Sequence, residues 1–383
     1  MRILQVIPYF TPKRGGDVKA CENMASFLVA RGHDVTIITT DFQLDENFQK
    51  IVQSKGITVV PFKCLANIGL FIISPSMKKW IKTNLNQFDI IHIHGFRSYQ
   101  SNLIRRYSLS KGVPYILQAY GSVLPFFSKQ LLKHLYDFVW GKKILRDAGF
   151  VIASTRLEAE QYEQMGVNRN RMKTIPIGID ASEFKNLPAM GRFRQQYGIP
   201  PERKIVLFLG RIHKIKGPDL LIEAFSLLIK KGKDAVLVIA GPDAGFQQVI
   251  EKRINELGLS SRVIIPGPLY QQSKIEAYVD ADVYVLSSRY EAFGTTVLEA
   301  SACGTRVIIT VNSGIRDIVE KIEGKIVEFD KYELSNAIEE IIMGSYEYDQ
   351  KRLRREYIMK EYDLNKIVER LELAYEDAMR VEN

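Results

Sequence analysis

The chain contains two successive series of short apolar runs, and each run is followed by a segment with helical periodicity. The first series is RILQVI, VTIIT, ITVVP, DIIHIH, PYILQA and GFVIAS, and the second is KIVLFLG, AVLVIAG, RVIIPG, DVYVLSS, RVIIT and GKIVEF. Runs that are continuously apolar, rather than alternating, suit parallel strands covered by helices on both faces. The pattern therefore predicts an α/β protein with two doubly wound, Rossmann-like domains.

The boundary between the two series lies in a segment rich in proline and glycine, Pro176 to Arg203. A length of 383 residues agrees with two cores rather than one. We predict an N-terminal domain over 1–185 and a second domain over 200–360. Beyond Tyr346 the pattern is helical, and residues 361–383 are expected to cross the junction and pack toward the first domain.

Charge is distributed unevenly along the chain. Residues 1–200 carry 27 Lys+Arg against 14 Asp+Glu, a net charge of +13, whereas the remaining residues carry a net charge of −4. A basic first half suits an anionic partner such as a phospholipid surface, a phosphate-bearing substrate or a nucleic acid. A basic face that serves only solubility explains the same numbers. Nucleic acid is the least favoured partner, because no basic stretch is combined with a recognisable reading motif.

Several broad classes of protein are not expected from this sequence. The longest apolar stretches, such as IGLFIIS, are far shorter than the roughly 20 residues of a membrane-spanning helix. The opening MRILQVIPYF lacks the features of a secretory signal, which predicts a cytoplasmic protein. Cys21, Cys64 and Cys303 are scattered singly, so neither a disulfide framework nor a metal site is indicated.

Two cations follow the first strand of the second series, in KIVLFLGRIHKIKGPDLLIEAF. Arg211 and Lys216 come between the end of that strand and the helix that Pro218 opens. Ligands bind at the carboxyl edge of open α/β sheets, and Arg and Lys at this edge suit a diphosphate. Taken alone, the two side chains could equally be solvated loop residues.

The segment DVYVLSSRYEAFGTTVLEASACG predicts a strand, a loop and a helix that begins at Gly294 or Thr295. The backbone amides of Phe293, Gly294 and Thr295 would form a helix N-terminus that favours an anion. Glu291 and Glu299 flank this position, and carboxylates accept hydrogen bonds from hydroxyl groups. The ligand that suits this arrangement is a phosphate with a hydroxyl-bearing ring on either side, and a nucleotide sugar has that form. A capping acid and an exposed helix acid are the alternative interpretation of the two glutamates.

Together these residues resemble the family 4 retaining glycosyltransferases of the GT-B fold, in which two Rossmann-like domains face each other across a cleft. The resemblance extends over essentially the whole chain and includes Gly15-Gly16, the PIGID segment and the Gly241-Pro242 turn. It implies that Arg211 and Lys216 bind the donor pyrophosphate and that Glu299 binds the ribose. It also implies that Phe293, Gly294 and Thr295 offer amides to the donor, and that the turn at Pro268 and Leu269 contacts the base.

Three further groups of residues are candidates for the first domain. Gly15 and Gly16, at a predicted helix start, suit closure over the donor phosphate, assisted by Lys13 and Arg14; a plain turn is the alternative. His92 and His94 share one face of a strand end, and His94 is a candidate sugar or acceptor contact. Tyr120 stands where many members of the family have a histidine, so it either binds the sugar or shapes the acceptor site.

A metal ion is not expected. Asp280-Ala281-Asp282 has the DxD pattern that another glycosyltransferase fold uses to hold Mn²⁺ or Mg²⁺, but it lies before a strand, at the opposite edge from the predicted ligand. We therefore predict a structural role for this triplet. Arg211, Lys216 and the helix terminus can stabilise the departing diphosphate electrostatically instead.

The segment Pro125 to Leu145 interleaves Phe126, Phe127 and Trp140 with lysines 129, 133, 142 and 143. It suits either an anionic membrane surface or an ordinary basic helix face. The first alternative predicts a peripheral protein of the inner membrane face and a lipid-linked saccharide acceptor.

The sequence thus predicts a hexose transfer with retention from a UDP- or GDP-linked sugar to a glycan or lipid-linked saccharide, with no cofactor. Lys216, Arg211 and Glu291 are the predicted catalytic residues, and Gly15, Gly16, Gly241, Leu269, Phe293, Gly294, Thr295 and Glu299 complete the predicted donor site. A nucleotide-sugar epimerase of the same architecture and a non-catalytic module for anionic glycans or lipids are the alternatives.

Overall fold

The structure is a computed structural model that describes residues 1–12, 15–68, 71–125, 130–344 and 348–381. The chain divides into two compact units, Met1–Gly178 with Leu364–Asn383, and Ile179–Asp363. Each unit is built around one parallel sheet with helices on both faces. The α/β class with two parallel-sheet domains is therefore confirmed.

The first unit contains a seven-stranded sheet and a two-stranded hairpin. Its strands are β1 Arg2–Val6, β2 Asp34–Thr40, β3 Thr58–Phe62, β4 Ala66–Ile68, β5 Phe71–Ile73, β6 Ile90–His94, β7 Tyr115–Gln118, β8 Phe150–Ala153 and β9 Met172–Thr174. Its helices are α1 Gly16–Ala30, α2 Glu46–Gln53, α3 Pro75–Asn84, α4 Tyr99–Lys111, α5 Gln130–Tyr136, α6 Lys142–Asp147, α7 Arg156–Gln164 and, from the end of the chain, α16 Leu364–Val381. A π-helical turn, Asp137–Gly141, joins α5 to α6.

The second unit contains a six-stranded sheet. Its strands are β10 Lys204–Leu209, β11 Ala235–Ala240, β12 Val263–Gly267, β13 Val283–Leu286, β14 Arg306–Thr310 and β15 Lys325–Val327. Its helices are α8 Arg192–Tyr197, α9 Pro218–Lys230, α10 Gln247–Glu256, α11 Gln271–Asp280, α12 Thr295–Ala302, α13 Arg316–Lys321, α14 Lys331–Met343 and α15 Tyr348–Glu361.

The two sheets share one topology. The strand order is β3-β2-β1-β6-β7-β8-β9 in the first and β12-β11-β10-β13-β14-β15 in the second, and every pairing within these sheets is parallel. In both sheets, the first three strands run from the centre to one edge. The chain then returns to the centre, and the later strands run to the opposite edge. The strand order therefore reverses between β1 and β6 and between β10 and β13, and ligands of open α/β sheets bind at such switch points.

The cores lie on the faces of the sheets. Along β1, Leu4 and Val6 belong to one buried cluster, and Ile3 before them and Ile7 after them belong to another. This alternation follows from the two-residue period of a strand, and both faces are apolar because helices cover both. Helix α16 packs against α1, β6 and β7 within the first unit.

The twelve apolar runs predicted twelve of the thirteen strands in the two parallel sheets, and the strand that was not predicted, β9, lies at the edge of the first sheet. The β4–β5 hairpin was also not predicted. β4 and β9 are three residues long and contain polar residues, so they form no continuous apolar run in the sequence.

Candidate functional site

The loop after β10 carries the two predicted phosphate-binding cations. Arg211 is exposed, and within the described residues its side chain forms neither a hydrogen bond nor an ion pair. Lys216 ends a short 3₁₀ turn, Lys214–Lys216, and is only 21% exposed. The loop is tied to the neighbouring strand because Ile212 donates its N–H to the carbonyl of Pro242 at 2.9 Å. One cation is thus freely available at the carboxyl edge, while the other is held in place.

Lys216 is held by Glu291, the first of the two predicted glutamates. The Lys216 ammonium donates to Oε2 of Glu291, whose side chain is 12% exposed. The two residues follow β10 and β13, the adjacent strands at which the order of the second sheet reverses. The structure therefore brings Lys216 and Glu291 together at the switch point, although 75 residues separate them in the chain.

Arg289 fixes the position of the Lys216 loop. Its guanidinium forms a bidentate ion pair with Asp219, at 2.9 and 2.6 Å, and also donates to the carbonyl of Lys214. Its backbone N–H donates to the carbonyl of Ile215 at 2.8 Å. Arginine makes such planar, two-pronged contacts better than lysine does. Neither Arg289 nor Asp219 was singled out in the sequence, because their meeting depends on the pairing of β10 with β13.

Two backbone hydrogen bonds fix the position of Glu291. Its N–H donates to the carbonyl of Asn312 at 3.0 Å, and its carbonyl accepts from Gly314 at 2.8 Å. The loop after β14 therefore pairs with the loop after β13. This arrangement limits the positions that the Glu291 carboxylate can take beside Lys216.

Helix α12 begins at the predicted position, with Gly294 as its N-cap. Gly294 has a φ of 82°, and a Cβ here would come within 2.9 Å of Cδ2 of Leu286, so this turn requires glycine. The first backbone bond of the helix joins the N–H of Val297 to the carbonyl of Gly294 at 2.9 Å. The amides of Thr295 and Thr296 precede this bond and point out of the helix N-terminus, where the helix dipole favours an anion.

Tyr284 connects this helix to the end of β10, the strand that precedes Arg211. Its buried hydroxyl donates to Oγ1 of Thr296 at 2.6 Å and lies 3.2 Å from the carbonyl of Leu209. Burial raises the pKa of the Tyr284 phenol, so it stays a neutral donor. The helix N-terminus and the end of β10 are thereby held at one edge of the sheet.

Glu299 lies inside α12 and is held by two donors. Nζ of Lys274 donates to Oε1 at 2.7 Å, and the hydroxyl of Tyr278 donates to Oε2 at 3.0 Å. Burial alone would lower the pKa of Lys274, but the charge of Glu299 and its hydrogen bond outweigh that effect and raise it. Each carboxylate oxygen has a second lone pair, so Glu299 can still accept from hydroxyl groups. Lys274 and Tyr278 carry no motif that could have identified them in the sequence.

The remaining predicted donor residues lie along the same edge of the second sheet. Gly241 follows β11 with a φ of 148°, and a Cβ there would lie 1.8 Å from the carbonyl oxygen of Gly210, so only glycine fits. Leu269 stands between β12 and α11, and its side chain is buried. Any contact of Leu269 with a base would therefore come from its backbone, whereas Pro268 is exposed. Phe293 is also buried, so its side chain packs inside the unit.

His213 is a residue of this loop that the sequence interpretation missed. It stands between Arg211 and Lys216, and its Nδ1 accepts the N–H of Ile215 at 3.1 Å, which caps the 3₁₀ turn. Burial and the charges of Arg211 and Lys216 lower its pKa, so the ring is neutral at pH 7. Its place inside the RIHKIK segment was the available signal.

In the first unit, Gly15 is the N-cap of α1, with a φ of 128°, and Gly16 is the first residue of the helix. The predicted helix start is therefore present. Asp17 in the first turn accepts from the hydroxyl of Tyr9 at 2.7 Å. Lys13 and Arg14, predicted to assist, lie outside the described residues.

His92 and His94 are stacked on one another at the end of β6, with ring centroids 4.1 Å apart. Nδ1 of His92 lies 2.9 Å from the hydroxyl of Tyr375 in α16, and Nδ1 of His94 lies 2.7 Å from the hydroxyl of Tyr120. Burial lowers the pKa of His92 to about 3 and lowers that of His94 as well. His94 is only 2% exposed, so a contact between it and a ligand stays a prediction that would require Tyr120 to move.

Tyr120 adopts an unusual backbone conformation directly after β7. Its φ is 51°, which is rare for a residue with a large side chain. The phenol ring lies parallel to the ring of His94, with centroids 5.8 Å apart. The side chain is turned toward His94, and its role toward a sugar or acceptor stays a prediction.

The Asp280-Ala281-Asp282 triplet holds backbone and cations of its own unit. Asp280 accepts the N–H groups of Gly191 and Arg194 at 2.6 and 2.9 Å. Asp282 accepts from Arg194, from Lys204 and from the N–H of Ile205. These contacts confirm the structural role predicted for the triplet. No group of three or more His, Cys, Asp or Glu side chains suited to a metal ion is present in the described part of the chain.

Comparisons with known proteins agree with this arrangement. The family model of the group 1 glycosyl transferases matches residues 190–362, and the model of glycosyltransferase family 4 matches residues 14–183. Anabaena HepE, solved in complex with UDP and glucose, is 20% identical and superposes with a TM-score of 0.81 over 97% of this chain and 98% of its own. The fold is therefore the GT-B fold of glycosyltransferases.

Two curated relatives extend the comparison. Mannosylfructose-phosphate synthase of Agrobacterium fabrum is 36% identical over 182 residues, which is 45% of this chain and 40% of that protein. An uncharacterised glycosyltransferase of Methanocaldococcus jannaschii is 26% identical over 84% of this chain and 83% of its own length. Matches to the synthase and to several D-inositol 3-phosphate glycosyltransferases thus span less than half of each relative. The chain belongs to the family 4, group 1 glycosyltransferases.

Proposed function

We propose that this protein is a retaining hexosyltransferase that transfers a sugar from a UDP- or GDP-linked donor to a glycan or lipid-linked saccharide without a metal ion. The observation that carries the proposal is the meeting of Arg211, Lys216 and the N-terminus of α12 at one switch point of the second sheet. Three sources of positive potential converge there, as a leaving nucleoside diphosphate requires.

Arg211 and Lys216 have separate roles in this proposal. Arg211 offers an exposed guanidinium fork that can bind the diphosphate through two parallel hydrogen bonds. Lys216 has three N–H donors, of which one is directed to Glu291, so two stay available for phosphate oxygens. Both charges stabilise the negative charge that develops on the diphosphate as it departs.

The two glutamates accept hydrogen bonds from sugar hydroxyls. Glu299 is assigned to the ribose, because Lys274 and Tyr278 leave one lone pair on each of its oxygens. Glu291 is assigned to the transferred sugar, because it lies beside Lys216 and hence beside the phosphate. The amides of Phe293, Gly294 and Thr295 bind the phosphate or the sugar. In the first unit, Gly15 and Gly16 serve the donor phosphate, and Tyr120 with His94 serves the acceptor or the sugar.

The proposed reaction proceeds on one face of the donor sugar. The bond from the anomeric carbon to the diphosphate oxygen breaks first, which leaves an oxocarbenium-like sugar. The acceptor hydroxyl then bonds to the same face of that carbon, and its proton passes to the departing phosphate oxygen. Glu291 positions and stabilises the sugar and does not attack it, so the configuration at the anomeric carbon is retained.

The family membership and the structural neighbours support a nucleotide-sugar donor. The solved HepE structures contain UDP, UDP with glucose, or UDP-glucose. They favour the uridine nucleotide as the first donor to be tested.

A thermal-shift screen tests the donor class. UDP, GDP, ADP and their sugars are added to the full chain, and we expect UDP or GDP compounds to raise Tm most, since a ligand that binds only the folded state stabilises it. Arg211→Ala should abolish most of this shift, and Lys214→Ala in the same loop is the matched control. Equal shifts with all three bases, or with none, would contradict the proposal.

The reaction itself separates the proposal from its alternatives. With the donor found by the screen, incubation with candidate saccharides should give a product whose anomeric configuration, read by proton NMR, equals that of the donor. An epimerase would convert the donor with no acceptor present. A binding module would give neither product nor donor hydrolysis.

A further inference from the structure

The first unit carries an exposed apolar ridge on α5 and the π-helical turn, formed by Leu131, Leu132, Leu135, Phe138 and Trp140. Leu131 is 82% exposed and Phe138 is 78% exposed, and the other three are between 46% and 63% exposed. Positions 131, 135 and 138 recur at helical spacing, so they share one face of the segment. A cluster of large apolar side chains this exposed indicates an interaction surface, whereas single exposed side chains do not.

The ridge is firmly anchored from below. Asp137, on the opposite face of the segment, accepts from Nε and Nη2 of Arg97 at 2.8 and 2.5 Å, and both side chains are nearly fully buried. Arg97 also donates to the carbonyls of Ser122 and Val123, which precede this segment. Four of the five N–H donors of Arg97 thus bind described residues, and this buried ion pair fixes the backbone of the segment, because breaking it would leave a buried charge unpaired. The apolar side chains are therefore presented by a fixed scaffold.

The unpredicted hairpin extends the apolar surface. Phe71 in β5 contacts the ring of Tyr136 in α5, with centroids 5.3 Å apart, and Tyr136 contacts Trp140 at 5.6 Å. Ile68, which pairs with Phe71 across the hairpin, is 69% exposed. Two elements from separate parts of the chain thus present apolar side chains around one aromatic cluster.

Positive charge borders the ridge without local neutralisation. Lys142 and Lys143 are exposed, and neither forms an ion pair with another described residue. The acidic side chains of this segment are already engaged, Asp137 by Arg97 and Asp147 by Arg105 and Arg146. Lys142 and Lys143 therefore attract anions to the edge of the ridge, and the exposed apolar side chains favour a partner that removes them from water.

We propose that the ridge and its two lysines dock the protein on an anionic phospholipid bilayer, with the leucines and Phe138 inserted among the acyl chains and Lys142 and Lys143 at the headgroups. Apolar burial and attraction to anionic lipids together give stable interfacial binding. Trp140 suits the boundary, since its ring is apolar and its N–H is polar. Among the described helices, none is long and apolar enough to span a bilayer, so the docking is on the surface. This inference is independent of the proposed reaction.

Vesicle sedimentation with the full chain tests the proposal in the absence of any donor. We expect binding to vesicles of phosphatidylcholine and phosphatidylglycerol, and much weaker binding to phosphatidylcholine alone. Leu131→Gln/Leu135→Gln/Phe138→Gln should reduce binding at least tenfold, because the apolar area no longer leaves water. Lys142→Glu/Lys143→Glu should reduce binding to the anionic vesicles, and salt should weaken the binding of the unaltered protein.

Matched controls change equally exposed positions elsewhere. Leu109→Gln/Met343→Gln/Leu373→Gln removes three apolar side chains that are 54% to 63% exposed, and Lys230→Glu/Lys252→Glu makes the same change in charge. Both should bind vesicles like the unaltered protein. Far-UV circular dichroism and the Tm without added ligand verify that each variant is folded.

Fluorescence gives a second, local measurement. The chain has two tryptophans, so Trp80→Phe leaves Trp140 as the single reporter. Its emission should move to shorter wavelength on adding anionic vesicles. No sedimentation of the unaltered protein, equal sedimentation of the ridge variant, or unchanged Trp140 emission would overturn the proposal. So would a concentration-dependent dimer that the ridge variant abolishes, because a second copy would then cover this surface.

Discussion

The two sheets share a strand order but place different side chains at their switch points. In the second unit, an exposed Arg211, a Lys216–Glu291 ion pair and a helix N-terminus lie at the ends of β10 and β13. In the first unit, neutral and buried His92 and His94 lie at the end of β6 and bind tyrosine hydroxyls. The shared topology thus gives each unit a switch point, and the side chains make the switch point of the second unit charged and that of the first unit neutral.

The largest effect is expected from the second unit. Lys216→Ala should lower turnover by about 10³-fold, because a positive charge that stabilises the leaving diphosphate is lost. Steady-state transfer with the donor found by thermal shift measures this. Lys214→Ala removes an equal charge from the same 3₁₀ turn and should leave turnover within about threefold of the original. Equal losses in the two variants would mean that only the general charge of the loop matters.

Glu291→Gln separates binding from catalysis at the same switch point. The variant keeps the shape of the side chain but frees Lys216 from its ion pair, so affinity for UDP should be unchanged or higher. Turnover should nevertheless fall by about 10²-fold, since the developing positive charge on the sugar loses its stabilising carboxylate. Calorimetric affinity and kcat give the two values. If the affinity for UDP and kcat fell by the same factor, Glu291 would serve only to maintain the shape of the loop.

Glu299→Gln sharpens the comparison within the second unit. Affinity for UDP should fall by about tenfold, because one charged acceptor for the ribose hydroxyls is lost. Affinity for inorganic pyrophosphate, which has no ribose, should change little. Lys274 would lose its partner, so Lys274→Met, alone and combined with Glu299→Gln, measures how much of the effect belongs to the ion pair. Equal losses for UDP and pyrophosphate would contradict the ribose contact.

In the first unit, we expect the buried His92 at the switch point to make the stability of the fold depend on pH. Because burial lowers the pKa of His92 to about 3, the unfolded chain binds a proton more readily than the folded chain does. The stability is complete above pH 6.5 and is lost as pH falls from there toward 3. His92→Gln should make this loss less steep by about 1.4 kcal/mol per pH unit.

Urea unfolding at pH 7 and at pH 5 measures the effect of His92→Gln. The variant and the unaltered protein should both be insensitive to pH between 7 and 8, which serves as the internal control. Equal pH slopes below 6.5 would mean that His92 is accessible to protons in the folded protein. The side chains at the first switch point would then be accessible from solvent, as Arg211 is at the second, although their contacts bury them.

The sequence was sufficient to predict twelve of the thirteen strands in the two parallel sheets, the start of α12 and the position of Arg211 and Lys216 after β10. Continuous apolar runs, a glycine before the helix and cations after a strand are local patterns, so they do not depend on the rest of the fold. The structural role of Asp280-Ala281-Asp282 was also predictable, because its position before a strand places it at the opposite edge. β9 and the first strand of the β4–β5 hairpin were not predictable, since each is three residues long and is interrupted by polar residues.

The partners of the predicted residues were decided only by the tertiary structure. Lys216 meets Glu291 across 75 residues, Lys274 meets Glu299 across 25, and Arg97 meets Asp137 across 40. The first and third pairs form because parallel pairing brings the carboxyl ends of β10 and β13, and of β6 and β7, to one edge, and the second forms because α11 packs against α12. A linear pattern contains no record of either arrangement. The sequence therefore determined which chemistry this protein carries and on which kind of element, whereas the fold decided which charges neutralise each other and which, like Arg211, stay free for a ligand.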